Sequence, residues 1–227
     1  MIPSLLQIPS AVSDSKLHSV LPNNGKGDFT FDRSTGATRI NRDGLIEEVG
    51  YFSSELVQNG NFSELGSELI VNGDFATDSD WTKQTSWSIN DGKAVAKLAS
   101  NRHIQQFYTG GALTSGKTYK IIFTISDYIT GNLKAQLGGG GSTQDLATIN
   151  ANGSYTYYAV ATNNATVLRF KGISSGGGFT GKIDNVSVKQ VDPNDRWIKG
   201  SGWSYGNNKI LGSNTNTSIS FDFDQPV

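Results

Sequence analysis

Few residues in this chain are of a type and spacing that could do chemistry. Its two histidines, His18 and His103, are far apart, and neither has a nucleophile or a metal-ligand pattern beside it. Cysteine is absent, which removes disulfides, thiolate nucleophiles and Cys-ligated zinc together. No Gly-x-Ser-x-Gly elbow, P-loop or His-Glu-x-x-His run occurs. Asp78, Asp80 and Asp91 could supply the carboxylate pair of a glycosidase. They stand among Ser, Thr, Asn and Gly, however, where acidic side chains usually satisfy the amides of turns. The chain therefore reads as a non-enzyme.

Flat rings remain, and a sugar can stack its apolar C–H face on them. The candidates are Tyr108, Tyr128, Tyr155, Tyr157, Tyr158 and Phe179, with Trp81 and Trp87 offering the largest area, although for most of these rings a place in the core is the default. Tyr128 and Phe179 lie beside glycine-rich loops and are the better-placed exposed platforms. Together with Tyr108 they form the expected glycan-binding set. Tyr155 and Tyr157 alternate along one strand, so one side of that strand faces a core.

The elements that must position these rings are strands. The 227 residues include 27 Gly and only 5 Pro, in a background rich in Thr, Ser and Asn, which favours short strands and turns over helices. Aromatics at 10% are enough to build a core. Candidate strands run from Trp87 to Ile89, Lys93 to Leu98, Ile104 to Tyr108, Thr118 to Ser126 and Asn132 to Leu137. Others run from Asp145 to Ile149, Tyr155 to Ala161, Thr166 to Gly172 and Gly181 to Val191. Gly138–Gly141 and Gly176–Gly178 are loops, because such runs cost too much backbone entropy inside an element. Strands about 8–12 residues apart indicate an all-β antiparallel sandwich.

A net charge of −1 gives no electrostatic case for nucleic acid or an anionic membrane. No run approaches the roughly 18 apolar residues of a membrane helix, so no membrane insertion is expected. The N-terminus lacks the basic and apolar regions of a signal peptide.

Residues 1–52 hold too few large apolar side chains for a core of their own. Phe29 and Phe31 alternate with polar neighbours, and Ala37–Val49 reads as a hairpin about Asp43-Gly44. Arg33, Arg39 and Arg42 are followed by Asp43, Glu47 and Glu48, so that hairpin is solvated rather than basic. This segment is expected to fold against a partner or against copies of itself.

Two internal repeats follow. Ser54–Phe62 (SELVQNGNF) matches Ser67–Phe75 (SELIVNGDF) at six of nine positions. The second copy is expected to be the sandwich's first strand, and the first copy, within residues 53–66, a spacer with the same turn, the alternative being a duplicated strand along an edge. Trp81–Lys93 aligns with Trp197–Lys209 at an offset of 116, with both tryptophans, both lysines and Ser88/Ser204 identical. Residues 67–191 are thus one sandwich, and 192–227 a linker and the start of a second one that stops early. An open half-sandwich has bare edges, so the natural chain is expected to be longer.

The ordered run Leu6-Gln-Ile-Pro-Ser-Ala11, Lys16–Pro22 and Gly27–Val49 resembles the N-terminal segment of bacteriophage tail-fibre, tail-appendage or head-fibre proteins. The resemblance implies that residues 1–52 dock on other virion proteins. It further implies a homotrimer, made in the host cytoplasm without a signal peptide and carried on the extracellular particle.

Leu69–Phe75, Trp81, Ser115–Phe123 and Ile183–Val188 resemble a carbohydrate-binding-module-like jelly roll. This resemblance implies adhesion to host-surface glycan. It also implies a structural calcium where the first and last strands meet, held by Asp74, Asp184 and Asn72 with neighbouring carbonyls. The whole then reads as a structural appendage that anchors by its N-terminus and projects sandwiches for host attachment. The alternatives are a non-binding spacer or capsid decoration protein, or the binding part of a longer tail-borne depolymerase.

Overall fold

Period-two alternation of β-branched and aromatic residues, broken by Gly, Asn and Asp, leaves nothing for a helix to use. The computed structural model accordingly holds twenty strands and no helix among its described residues. Those residues are 6–13, 16–21, 24–30, 37–40, 44–49, 57–139, 141–213 and 216–221.

The chain divides into two compact units, Met1–Leu56 and Val57–Val227. In the first, β1 (Leu6–Ser13), β2 (Lys16–Leu21) and β3 (Phe29–Thr30) form an antiparallel sheet in that order. The expected hairpin is present as β4 (Ala37–Ile40) and β5 (Ile46–Val49), with Ala37 opposite Val49 and Ile40 opposite Ile46. Phe31, Arg33, Arg42 and Asp43 lie outside the described residues.

The second unit opens with β6 (Leu65–Glu68), β7 (Thr82–Lys83), β8 (Trp87–Asn90), β9 (Lys93–Ala99) and β10 (His103–Phe107). It continues with β11 (Thr118–Thr130), β12 (Leu133–Gly138), β13 (Gln144–Ile149), β14 (Gly153–Val160), β15 (Val167–Gly172) and β16 (Phe179–Val191). These make two antiparallel sheets, one ordered β13-β12-β15-β10-β7 and the other β14-β11-β16-β9-β8, with β6 also on β16. The architecture is the expected all-β jelly-roll sandwich. Each expected strand from Trp87 onward is present, within a few residues of its expected ends.

Alternation decides what lies between the sheets. Ile121, Phe123 and Ile125 of β11, Leu168 and Phe170 of β15, and Ile183 and Val188 of β16 are buried at 0–1% exposure. Trp81 lies in this core between Phe75 and Phe170, with ring centroids 4.9 and 6.4 Å away. Its Nε1–H is satisfied by the Asn72 carbonyl at 3.0 Å, as a buried indole requires.

The repeat Ser67–Phe75 is strand only through Glu68. Asn72 and Phe75 then take positive φ (both 51°) and turn the chain away from the sheet. A left-handed Phe costs of order 1 kcal/mol, which burial of its ring at 1% exposure offsets. Gly73 is required here, because a Cβ would lie 2.0 Å from the Val186 carbonyl oxygen.

After Val191 come β17 (Trp197–Lys199), β18 (Trp203–Gly206), β19 (Lys209–Gly212) and β20 (Ile219–Phe221), paired as β17-β20 and β18-β19. Val57–Phe62, expected to be part of a spacer, packs instead against this C-terminal segment. Phe62 rests on Trp197 with centroids 4.9 Å apart, and Asn59 Nδ2 donates to Asp192 Oδ1 at 3.0 Å. Residues 222–227, the far end of the expected second sandwich, lie outside the described residues.

Candidate functional site

The five-stranded sheet buries one face against the core and turns the other outward. On β15 the outward positions are Val167, Arg169 and Lys171, alternating with core residues Leu168 and Phe170. On β10 they are His103, Gln105 and Phe107, flanking Ile104 and Gln106. Register aligns these positions into three rows. Gln105 faces Arg169, Arg169 faces Gln136, and Gln136 faces Asp145. His103 faces Lys171, which faces Lys134. Phe107 faces Val167, which faces Gly138.

The central row holds two hydrogen-bonded polar pairs, and between them the Gln136 Oε1 atom is buried without a partner among the described residues. Arg169 Nε donates to Gln105 Oε1 at 2.9 Å, and Gln136 Nε2 donates to Asp145 Oδ1 at 2.6 Å. Lys134 Nζ pairs with the other Asp145 oxygen, which together with Gln136 holds the carboxyl below its usual range. Among the described residues the terminal N–H groups of Arg169 donate to no acceptor, so they remain available to a ligand. Gly138 makes room for that guanidinium, since a Cβ there would lie 3.4 Å from Arg169 Cζ and 3.2 Å from Val167 Cγ2.

Beside these pairs is an apolar row. Val167 is 2% exposed, yet it stands outside the main core cluster. Phe107, its cross-strand neighbour, is 63% exposed. An exposed ring next to planar, charge-assisted donors can stack the apolar face of a sugar and bind its hydroxyls. The basic row bounds the face. Partial burial, then Arg169 and Lys171, push His103 below the usual imidazole value, so it is neutral at pH 7.

The rings expected from sequence are elsewhere. Phe179 is 0% exposed and Tyr108 5%, both inside the sandwich, so neither can offer a face to a sugar. Alternation places Phe179 inward as the first residue of β16, despite the glycine loop before it. Burial raises the Tyr108 phenol far above its usual pKa. Tyr128 is partly buried, packs 6.2 Å from Phe179 and donates its hydroxyl to the Gly131 carbonyl at 3.1 Å. Tyr155 and Tyr157 lie parallel, 6.5 Å apart, against Phe123. Phe179 and Tyr108 are thus core residues, while Tyr128, Tyr155 and Tyr157 pack against the core with their rings partly buried. Gln105, Phe107, Gln136 and Arg169 were not singled out, although the outward alternation of HIQQF and VLRFKG carries the signal.

The calcium set does not fit either. Lys93 Nζ lies 2.8 Å from Asp184 Oδ2, so an ammonium already holds the place a cation would take. Asp184 Oδ1 accepts from Asn185 N at 2.7 Å. Asn72 turns its amide nitrogen toward the Thr77 and Ser79 carbonyls, and its oxygen accepts from Thr77 N. Asp74 Oδ1 accepts from Ala76 N at 3.3 Å. Among the described residues no three His, Cys, Asp or Glu side chains gather as a metal site. Of the glycosidase-type carboxylates, Asp78 pairs with Lys83 and Asp80 accepts from the Ser79 hydroxyl.

A scan against known protein families finds no match, and no curated protein matches. Among solved structures the chain is similar to a carbohydrate-binding module described as CBM4, at 20% identity and a TM-score of 0.37, covering 59% of this chain and 99% of that one. It is similar to a mutant of a family 29 carbohydrate-binding module at 11% identity and a TM-score of 0.41, covering 56% and 93%. It is also similar to the enzymatically active domain of tailspike protein 4 of bacteriophage CBA120, at 17% identity and a TM-score of 0.38, covering 55% of this chain and 21% of that one.

Proposed function

We propose that the sandwich is a non-catalytic adhesion module that binds glycan on the outer face of its five-stranded sheet. The observation that carries this reading is the juxtaposition of exposed Phe107 with the Gln105–Arg169 and Gln136–Asp145 pairs on that face. Phe107 supplies the stacking surface and Arg169 the hydroxyl-binding donors. Gln105 fixes the guanidinium, and Asp145 fixes the Gln136 amide.

The N-terminal sequence resemblance adds the setting. Residues 1–52 dock on virion proteins of a phage, as a homotrimer, and weak single-site contacts become useful through several copies per particle.

The test is a glycan array probed with the full chain, followed by two-dimensional NMR titration with any hit. Binding that moves the amides of β10, β12 and β15 supports the reading. Binding that moves only another surface, or no binding on a broad bacterial-surface array, overturns it in favour of a spacer. Immunogold labelling of phage particles tests the setting separately.

A further inference from the structure

We propose that residues 57–62 and 192–221 are two parts of one module, a second copy of the sandwich's opening elements, and that the sandwich is inserted between them. The two sequence repeats coincide in space and reproduce the same contacts.

The opening turn is the first case. Asn72 and Phe75 have φ of 51°, and Asn59 and Phe62 have φ of 54° and 53°. Phe75 N donates to the Asn72 carbonyl at 3.1 Å, and Phe62 N to the Asn59 carbonyl at 2.9 Å. Each asparagine side-chain oxygen accepts from the amide five residues on, Thr77 or Glu64. Each asparagine carbonyl accepts an indole N–H, from Trp81 at 3.0 Å and from Trp197 at 3.1 Å. Each phenylalanine ring lies 4.9 Å from its tryptophan.

The strands that follow repeat as well. Trp87 N donates to the Gln84 carbonyl, and Trp203 N to the Gly200 carbonyl. Lys97 N donates to the Ser86 carbonyl, and Ser213 N to the Gly202 carbonyl. Trp87 Nε1 reaches the Arg102 carbonyl at 3.2 Å, and Trp203 Nε1 the Thr217 carbonyl at 2.9 Å. Ile104 pairs with Lys83 in the first copy, and Ile219 with Lys199 in the second. Thus β17, β18, β19 and β20 correspond to β7, β8, β9 and β10.

One difference identifies the insertion. In the first copy Trp81 follows Asn72 by nine positions, and carbonyls between them satisfy the Asn72 amide. In the second, Trp197 follows Asn59 by 138 positions. There Asp192 takes over, accepting from Asn59 Nδ2, Trp197 N and the Tyr205 hydroxyl at 3.0, 3.1 and 2.8 Å. The inserted sandwich has the adjacent ends this requires. Leu65 pairs with Val191, and Asp192 N donates to the Glu64 carbonyl at 3.1 Å. The sandwich is therefore held at both ends by one joint rather than carried on a single linker.

Hydrogen exchange of the full chain, followed by mass spectrometry, tests this. The Phe62 and Glu64 amides report one part, and the Gly200 and Trp203 amides the other. Trp197→Ala is expected to speed exchange at least tenfold in both parts together, leaving β11 and β16 at wild-type rates. Phe62→Ala should do the same from the other side. Trp197→Phe, which keeps a ring but removes the N–H to Asn59, should deprotect both parts more weakly. Exchange that rises in 197–206 alone overturns the proposal, because the parts would then be independent. Equal loss of protection in β11 and β16 in all three variants also overturns it, because residues 57–62 would belong to the sandwich itself.

Discussion

Arg169 Nε donates to Gln105 Oε1 at 2.9 Å across the β10–β15 pair, joining residues 64 apart in sequence. The bond uses one guanidinium edge and leaves the terminal N–H groups for a ligand. Arg169→Ala should therefore weaken glycan binding by about 1.5–3 kcal/mol, the range for hydrogen bonds to a charged group, or roughly tenfold to a hundredfold. Gln105→Ala keeps the donors but frees their orientation, so a smaller loss of about 1 kcal/mol is expected. Arg169→Lys should not restore binding, because an ammonium lacks the planar fork. Isothermal titration against the best array ligand reads all three, and an unchanged Kd for Arg169→Ala removes this face as the site.

His103 gives the stability curve a distinctive limb. Its pKa is lowered from 6.5 in the fold by partial burial, then by Arg169 and Lys171. Between the lowered value and 6.5 the unfolded chain binds more protons, so stability rises with pH there and falls as pH drops below about 6.5. Asp145 has the opposite origin. Its Lys134 and Gln136 partners lower its pKa, so its contribution is present above 3.8 and is lost as pH falls through the lowered value. The two windows open at different pH, below 6.5 for His103 and below 3.8 for Asp145. Urea unfolding between pH 7 and 5 should show the first loss, and His103→Gln should flatten it. An NMR midpoint for His103 at or above 6.5 would contradict the assignment.

Because Lys93 pairs with Asp184, the sandwich's stability is expected to be independent of calcium. A site with a dissociation constant a hundredfold below the added calcium would stabilise by about 2.7 kcal/mol. That would raise Tm by several degrees in a domain of this size. Scanning calorimetry in chelator and in millimolar calcium should instead give the same Tm within about 1 °C. A rise of several degrees would show that cation binding displaces Lys93.

How far the sequence carried the reading depends on the range of the interaction. Strands β8 to β16 were legible because each is fixed by its own alternation, and Thr118–Ile125 gave the strongest signal. Trp81 was marked only by the resemblance to a jelly roll, whereas the positive-φ turn at Asn72–Phe75 that seats its indole was expected to be strand. The proposed binding face was not legible. Gln105, Arg169 and Gln136 meet only because β15 lies between β10 and β12, and no local pattern encodes that order. Phe179 was misplaced because a glycine loop was read as exposure, whereas strand alternation carries it inward. The repeat at Ser54 was visible, but its partner Trp197 lies across an entire sandwich, so its role could not be read from its neighbours.

Phe107 offers the cleanest separation of binding from folding. It is 63% exposed at the end of β10 and contributes little to the core. Phe107→Ala should leave stability within about 0.5 kcal/mol of wild type, as for other surface changes. If the ring stacks a sugar, the same change should cost about 1–2 kcal/mol of binding through lost apolar contact. Phe107→Tyr keeps the platform and should bind within about threefold of wild type, since 0.6 kcal/mol is a factor of about three. Phe170→Ala, by contrast, empties a fully buried site and should destabilise by about 3–5 kcal/mol. Thermal unfolding and titration of the same three variants distinguish the roles. A Phe107→Ala variant that folds and binds like wild type would show that the exposed ring is not the platform, leaving Arg169 and its partners as a purely polar site.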